Sequence, residues 1–144
     1  MSDEPNFGFD DFQEGSGSQA AASGADPEQI AFEIRFFEPV MERSPGFVEV
    51  LQLMGNHYTR AGRYEDGLAI DRRLVRLCPD DAIARYNLAC SLALTRKSAA
   101  AVRELDRAVS LGYKDISHID TDPDLDNVRE HPDYQSLMRR LRNV

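Results

Sequence analysis

The sequence contains few of the residues that build a disulfide framework, a metal site or a membrane anchor. It has no tryptophan and only two cysteines, Cys78 and Cys90, whose spacing fits neither a disulfide framework nor a zinc motif. No apolar run reaches membrane-spanning length, and the N-terminus lacks the basic head and apolar stretch of a signal peptide. We therefore expect a cytoplasmic protein with reduced cysteines, no metal ligands and no membrane contact.

Basic residues are missing from the first 27 positions. That segment carries six acidic residues, so it accounts for −6 of the formal net charge of −8. The remaining chain is nearly balanced, with 19 acidic against 17 basic residues, which argues against a nucleic-acid surface. No glycine-rich phosphate loop follows a predicted strand, and His57, His118 and His131 stand apart in the sequence. We predict neither a cofactor nor an enzymatic activity.

Residues 1–26 are rich in glycine, serine, alanine and acids, as in GSGSQAAASGAD. Such a composition cannot bury enough apolar surface to offset the entropy lost on ordering, so we predict a disordered tail. Its stretch NFGFDDF places Phe7, Phe9 and Phe12 among acidic residues. Two interpretations stay open: ordinary tail composition, or a short linear motif that docks its rings in a groove.

Helical periodicity begins at Asp26, which can cap a helix that has Pro27 at its first position. Pro39 lies inside this pattern and predicts a kink, and the sequence SPG at 44–46 predicts the end of the helix. Beyond it the sequence repeats itself, with Gly55 in register with Ala89 one unit later. A period of about 34 residues, with two helices in each unit, is typical of one repeat architecture.

The segment LQLMGNHYTRAGRYEDGLAIDRRLVRLCPDD resembles a tetratricopeptide repeat, and ARYNLACSLALTRKSAAAVRELDRAVSLGYKD resembles a second copy without the turn glycine. The resemblance implies an all-α fold: a short right-handed solenoid with a C-terminal capping segment, as in bacterial members of the family. It divides the chain into a disordered tail (1–26), a leading helix (27–46), repeat 1 (47–81), repeat 2 (82–115), and a degenerate repeat with the cap (116–144).

The acidic stretch DTDPDLDNVREHPDY at 120–134 resembles a calcium-binding loop in its alternating aspartates. A loop that starts at Asp120 would need a glycine where Leu125 stands and a glutamate where His131 stands. Instead, Asp122 can cap a helical turn that begins at Pro123, and Pro132 can begin a last helix. We interpret the stretch as the cap of the repeat array, and a calcium sensor remains only as a weaker hypothesis.

The resemblance implies that the first helices of the repeats line a concave groove for a peptide or helix. The residues carried to that groove are Gln52, Asn56, Thr59, Tyr86, Asn87, Cys90 and Leu94. Asparagine side chains can bond both the C=O and the N–H of a bound backbone. We therefore predict a non-catalytic protein-interaction module for a protein or peptide partner. The alternatives are a small secretion-type chaperone or a regulatory subunit that binds through NFGFDDF; homo-oligomers are also open.

Overall fold

The computed structural model describes residues 26–143, which form eight helices and no strand. The α-helices are α1 Pro27–Arg43, α2 Val48–Arg60, α3 Tyr64–Leu77, α4 Ala82–Leu94, α5 Ser98–Ser110, α6 Ile116–Thr121 and α7 Pro132–Arg142, and a 3-10 helix spans Pro123–Val128 between α6 and α7. Consecutive helices from α1 to α5 pack against each other, and the 3-10 helix packs on α4. None of the helices between residues 26 and 143 is long and apolar enough to cross a membrane.

Helix α1 begins and ends where the sequence predicts. Asp26 caps it, because its carboxylate accepts a hydrogen bond of 3.0 Å from the backbone N–H of Glu28, and Pro27 occupies the first position. The helix ends at Arg43, just before the sequence SPG, and its assigned span continues through Pro39. Ile30, Ile34 and Met41 form its buried side, which packs on α2.

The helix bounds repeat at the spacing that the sequence predicts. Helices α2 and α4 start at 48 and 82 and end at 60 and 94, and α3 and α5 start at 64 and 98. The turns inside the two pairs are equivalent as well, since Arg63 N–H donates to Tyr58 O and Lys97 N–H donates to Leu92 O, both at 2.8 Å. The period of the sequence is therefore present in the structure, and the assignment to the tetratricopeptide family remains a prediction.

These two turns use different residues at the same left-handed position. Gly62 has a φ of 75°, and Arg96, at the equivalent place one period later, has a φ of 62°. A residue with a Cβ pays roughly 1–2 kcal/mol in this region, whereas glycine does not. The second turn is therefore built with local strain that the first avoids.

Two core clusters share helix α3. The N-terminal cluster contains Ile30, Ile34, Met41, Val50, Leu51, Met54, Tyr58, Ile70 and Leu74. The C-terminal cluster contains Leu68, Val75, Ala84, Tyr86, Leu88, Ala89, Cys90, Leu92, Ala93, Ala101, Val102, Leu105, Ala108, Ile119, Leu125, Val128, Tyr134, Leu137 and Met138. Helix α3 thus contributes side chains to both.

A buried carboxylate joins α3 to α4 at the boundary of the clusters. Asp71 is 6% exposed and accepts a hydrogen bond from the hydroxyl of Ser91 on α4. Space for it exists because Gly55 on α2 has no side chain: a Cβ there would lie 3.0 Å from Asp71 Oδ1. Burial raises the pKa of Asp71 from 3.8 to about 6, against the opposing effect of the Ser91 hydrogen bond.

Residues 116–143, called the C-terminal segment below, contain the two helices that the sequence predicts from Pro123 and Pro132. Asp122 caps the 3-10 helix that starts at Pro123, and Leu125 and Val128 are buried in the core. The guanidinium of Arg129 holds the segment together, since it donates to the backbone oxygens of Ile119 at 3.1 Å and Asp122 at 2.6 Å. The amide of Asn127 reaches back to α4 and donates to the backbone oxygen of Ala93 at 3.1 Å.

We expect Arg96→Gly to stabilise the protein. Glycine relieves the left-handed strain but loses more backbone entropy on folding, so the net gain should be about 0.5–1 kcal/mol in the free energy of unfolding. Urea denaturation measures it. Gly62→Ala is the matched control in the first turn and should destabilise by about 1 kcal/mol, because it introduces the same strain. A destabilising Arg96→Gly would contradict this assignment.

We expect Asp71→Asn to stabilise the protein at neutral and higher pH. The pKa is raised in the folded state to about 6, so the contribution of Asp71 to stability increases as pH falls from above 6 towards 3.8. At pH 8 the ionised side chain is buried, and its replacement should raise the unfolding free energy by about 2–3 kcal/mol.

Urea denaturation at several pH values tests this difference, which should shrink as the pH falls through 6. Asp80→Asn, at an exposed position, is the control and should change the unfolding free energy little at any pH. A difference between Asp71→Asn and the parent chain that does not depend on pH would show that Asp71 does not titrate in this range.

Candidate interaction site

Helix α2 presents two exposed amide side chains, Gln52 and Asn56, one turn apart. Neither makes a side-chain hydrogen bond to any residue between 26 and 143. Thr59, nearly one turn further on, is half-buried, and its hydroxyl donates to the backbone oxygen of Gly55 at 3.0 Å. This side of α2 therefore offers two amides to a ligand, and the threonine hydroxyl is already engaged.

The equivalent side of α4 is covered. Tyr86 and Cys90 lie one period after Gln52 and Asn56, yet they are only 4% and 7% exposed. The structure thus places two of the predicted groove residues inside the protein, beneath the C-terminal segment. Contact between a ligand and these two side chains would require that segment to move.

Two other predicted groove residues on α4 remain closer to the surface. Asn87 is exposed and makes no side-chain hydrogen bond to the described residues, while Leu94 is half-buried. We call Gln52, Asn56 and Asn87 the open amides. The predicted tail residues Phe7, Phe9 and Phe12 lie outside the described part of the chain.

The cover over α4 centres on the carboxylate of Asp122, which is 6% exposed. Its Oδ2 accepts a hydrogen bond of 2.6 Å from the hydroxyl of Tyr86, lies 3.2 Å from Nε2 of His118 and 3.8 Å from Sγ of Cys90. The Tyr86 ring also stacks on Tyr113, with centroids 4.3 Å apart and planes within 3°. We call Tyr86, Cys90, His118 and Asp122 the closure network, since they attach the C-terminal segment to α4.

Burial keeps the Tyr86 hydroxyl and the Cys90 thiol of this network protonated. It raises the pKa of the Tyr86 hydroxyl far above its ordinary value and also raises the pKa of the Cys90 thiol. Both groups therefore stay neutral near physiological pH, and each can donate its hydrogen to Asp122. Burial and the nearby charge of Asp122 also raise the pKa of Asp124 from 3.8 to about 6.

The closure network includes a group of atoms with the chemistry of metal ligands. One ligand atom each from Cys90, Asp122 and Asp124 lies within 4.8 Å of the others. The sequence does not reveal this grouping, because Cys90 lies more than 30 positions before the aspartates. The Asp122 carboxylate already accepts from Tyr86 and, through Oδ1, from the Asp124 backbone N–H at 3.0 Å. These hydrogen bonds explain why the three side chains lie together: they join the C-terminal segment to α4.

The three histidines have separate surroundings. His57 is buried on α2, where its Nε2 contacts the Glu33 carboxylate of α1. His118 belongs to the closure network, and His131 caps α7 by accepting from the Asp133 backbone N–H at 3.2 Å. Each one therefore contributes to packing between or within helices.

A depression of about 400 Å³ lies where α1, α2 and α3 meet, and it is lined by Glu38, Met41, Glu42, Pro45, Tyr58, Arg63, Asp66 and Arg73. Several of its polar groups bond each other. The Tyr58 hydroxyl donates to Glu38 at 3.0 Å, and burial with this hydrogen bond raises the pKa of Tyr58 to about 12. Arg63 pairs with Asp66 at 2.8 Å. The polar contacts that line the depression therefore link α1 to α2.

No known family model matches this chain. Over 90 residues it is 29% identical to a chloroplast protein of Arabidopsis thaliana. The similar stretch covers 60% of this chain and 27% of that protein, so the two are alike over about a quarter of the plant protein's length. The likeness does not establish a family for the chain.

Removal of the Tyr86 hydroxyl should loosen the C-terminal segment. Tyr86→Phe leaves the buried Asp122 carboxylate without its shortest hydrogen bond, so we expect a loss of about 1–3 kcal/mol in unfolding free energy. Cys90 reports the opening directly, because it is covered by the same segment. In a Cys78→Ser background, Tyr86→Phe should let a thiol reagent label Cys90 about tenfold faster.

Tyr64→Phe is the matched control, since Tyr64 is 40% exposed and its hydroxyl makes no hydrogen bond within residues 26–143. It should leave both the stability and the labelling rate unchanged. If Tyr86→Phe behaves like this control, the Tyr86–Asp122 hydrogen bond does not hold the segment closed.

Proposed function

We propose that the chain is a non-catalytic protein-interaction module that binds a peptide or a helix through its open amides. One observation supports this proposal most directly: Gln52, Asn56 and Asn87 are exposed, and their side chains have no hydrogen-bond partner among residues 26–143. A side-chain amide carries both donors and an acceptor, so it can bond the N–H and the C=O of a peptide backbone.

The helices that carry the open amides are anchored in the core by their buried side chains. Leu51, Met54 and Tyr58 bury the opposite side of α2, while Leu88 and Leu92 bury α4. Little backbone ordering is therefore needed when a ligand arrives, which favours affinity. The open amides are presented by a preorganised surface, as a binding module requires.

The closure network limits where the ligand lies. Because Tyr86 and Cys90 are buried, contacts on α4 are restricted to Asn87 and its exposed neighbours. Ile83, which is 57% exposed one turn before Asn87, is the apolar neighbour on that helix. We propose that a ligand extends from the exposed side of α2 to Asn87 on α4, with its backbone bonded by amides and an apolar side chain on Ile83.

Membership of the tetratricopeptide family is part of the same proposal. The repeated spacing of α2 and α4, and of α3 and α5, supports it. The likeness to the chloroplast protein of Arabidopsis thaliana adds no partner to the proposal.

A selected peptide ligand provides the test. Peptides are selected from a random displayed library against the full chain, and the Kd of the best one is measured by calorimetry. The variant Gln52→Ala, Asn56→Ala, Asn87→Ala should raise this Kd about tenfold or more, because each lost hydrogen bond contributes about 1 kcal/mol. Far-UV circular dichroism should be unchanged, since the three side chains are exposed.

Asn143→Ala removes an exposed amide beyond the end of α7 and is the matched control, which should leave the Kd unchanged. A second variant, Phe7→Ala, Phe9→Ala, Phe12→Ala, separates the groove from the tail. Failure to select any peptide, or a ligand lost only with the tail variant, would contradict binding through the open amides.

A further inference from the structure

Helix α1 carries an aromatic pair that faces away from the core. Phe32 and Phe36 are 54% and 59% exposed, and their rings stack with centroids 6.3 Å apart. They lie one turn apart on the side opposite Ile30 and Ile34, which pack on α2. The edge of Phe37 supports Phe36, at 4.9 Å between centroids and 83° between planes. We call Phe32 and Phe36 the aromatic patch.

Unpaired positive charge accompanies the aromatic patch. Arg35 and Arg43 are the basic residues of α1, and both are exposed. Neither side chain forms an ion pair or a hydrogen bond with another residue between 26 and 143. Arg43 lies seven residues after Phe36 and so falls on the same side of the helix. A ligand for this surface should therefore combine aromatic rings with carboxylates.

The acids of α1 divide into two groups. Glu33 contacts His57, and Glu38 accepts from Tyr58, so both are engaged with α2. Glu28 and Glu42 are exposed and form no ion pair with another described residue. Glu33 and Glu38 therefore do not compete with a ligand carboxylate, whereas Glu28 and Glu42 lie seven positions before and after Arg35 on the same side of the helix. Arg43 is the basic residue that lies on the side of the aromatic patch.

The chain itself contains a segment of the required chemistry. NFGFDDF, at 6–12, combines phenylalanines with Asp10 and Asp11, and it lies within the acidic N-terminal part of the sequence. The chain enters α1 at Asp26, six positions before Phe32, so the segment is connected at the end of the helix that carries the patch.

The connection has a suitable length. Asp26 follows Phe12 by fourteen positions, and the root-mean-square span expected for a random coil of that length rich in glycine and serine is roughly 20 Å. Phe36 lies about 15 Å along the helix from Asp26, at 1.5 Å per residue. Because the reach matches the distance, the effective concentration of the segment at the patch is of the order of millimolar.

The size of the patch distinguishes this segment from a second copy of the chain. A phenylalanine side chain can bury roughly 150–250 Å², so two half-exposed rings offer about 200 Å² in all. A stable interface between two proteins buries about 1,200–2,000 Å² in total, which is several times what two such patches provide. A tethered segment needs far less area, because the tether already supplies its proximity.

We propose that residues 7–12 of the same chain dock on the aromatic patch. The rings of Phe9 and Phe12 pack against Phe32 and Phe36, and Asp10 and Asp11 lie near Arg43. The surface of α1 that α2 leaves open is then covered in cis. This contact is independent of the open amides, which belong to other helices.

A tryptophan reporter tests this contact in the full chain, which has no tryptophan of its own. In Phe12→Trp, docking should shift the emission to shorter wavelength and reduce acrylamide quenching. Quenching should be about half of that in the same chain with Phe32→Ser and Phe36→Ser, since docking covers roughly one face of the indole. Phe9→Trp serves as a second reporter in case one ring position tolerates the larger side chain poorly.

Ile83→Ser is the matched control, because Ile83 is as exposed as the patch residues but lies on α4. It should leave the reporter docked. Circular dichroism should confirm that the patch variant keeps its helices, since both substituted rings are more than half exposed.

Each other outcome contradicts the proposal in a recognisable way. Solvent-like emission from both reporters would show that the segment does not dock. If Ile83→Ser releases the reporter and the double variant Phe32→Ser, Phe36→Ser does not, the segment docks on α4. A shift that grows with protein concentration, together with a doubled mass in sedimentation, would identify a second copy as the occupant.

Discussion

Helix α4 is apolar on nearly every side, and a helix of this kind has to be covered on those sides. Eight of its thirteen residues are buried. Helices α3 and α5 cover two of its sides, and the 3-10 helix covers a third. This requirement explains why the C-terminal segment folds back instead of extending away from α5. It also explains why one side of α2 stays open while the equivalent side of α4 is closed.

Two buried carboxylates join α4 to its neighbours. Asp71 reaches it from α3 through Ser91, and Asp122 reaches it from the C-terminal segment through Tyr86. A buried carboxylate is costly unless hydrogen bonds compensate for the lost water, so each joint tolerates few alternative arrangements of its helices. The apolar contacts supply most of the burial, and these two joints favour one alignment over the others.

The features that the sequence predicts correctly depend on local signals. Asp26 and Asp122 cap helices, prolines follow them at the first helical position, and the 34-residue period recurs between the starts of α2 and α4 and between those of α3 and α5. The position of the C-terminal segment on α4 depends on contacts between residues more than 30 positions apart, which local patterns do not encode. One signal is present: polar Gln52 and Asn56 become Tyr86 and Cys90 one period later, as expected when a surface becomes an interior.

Other features escape sequence reasoning because their residue types are not diagnostic. Arginine does not predict a left-handed turn, yet Arg96 forms one because the adjoining helices repeat the geometry set at Gly62. Likewise, an isolated histidine does not predict a partner, and His57 finds Glu33 only after α1 packs on α2. The open amides could be derived from the sequence, since a resemblance to a repeat family carries surface positions from one unit to the next. The sequence does not reveal that these side chains lack hydrogen-bond partners among residues 26–143.

Helix α3 lies between the two core clusters and contributes side chains to both. Ile70 and Leu74 belong to the N-terminal cluster, while Leu68 and Val75, on neighbouring positions of the same helix, belong to the C-terminal one. A helix that serves as a common wall lets one side be dismantled while the other keeps most of its contacts. Loss of contacts in the N-terminal cluster therefore leaves most of the contacts that enclose α4 in place, since those come from α3, α5 and the 3-10 helix.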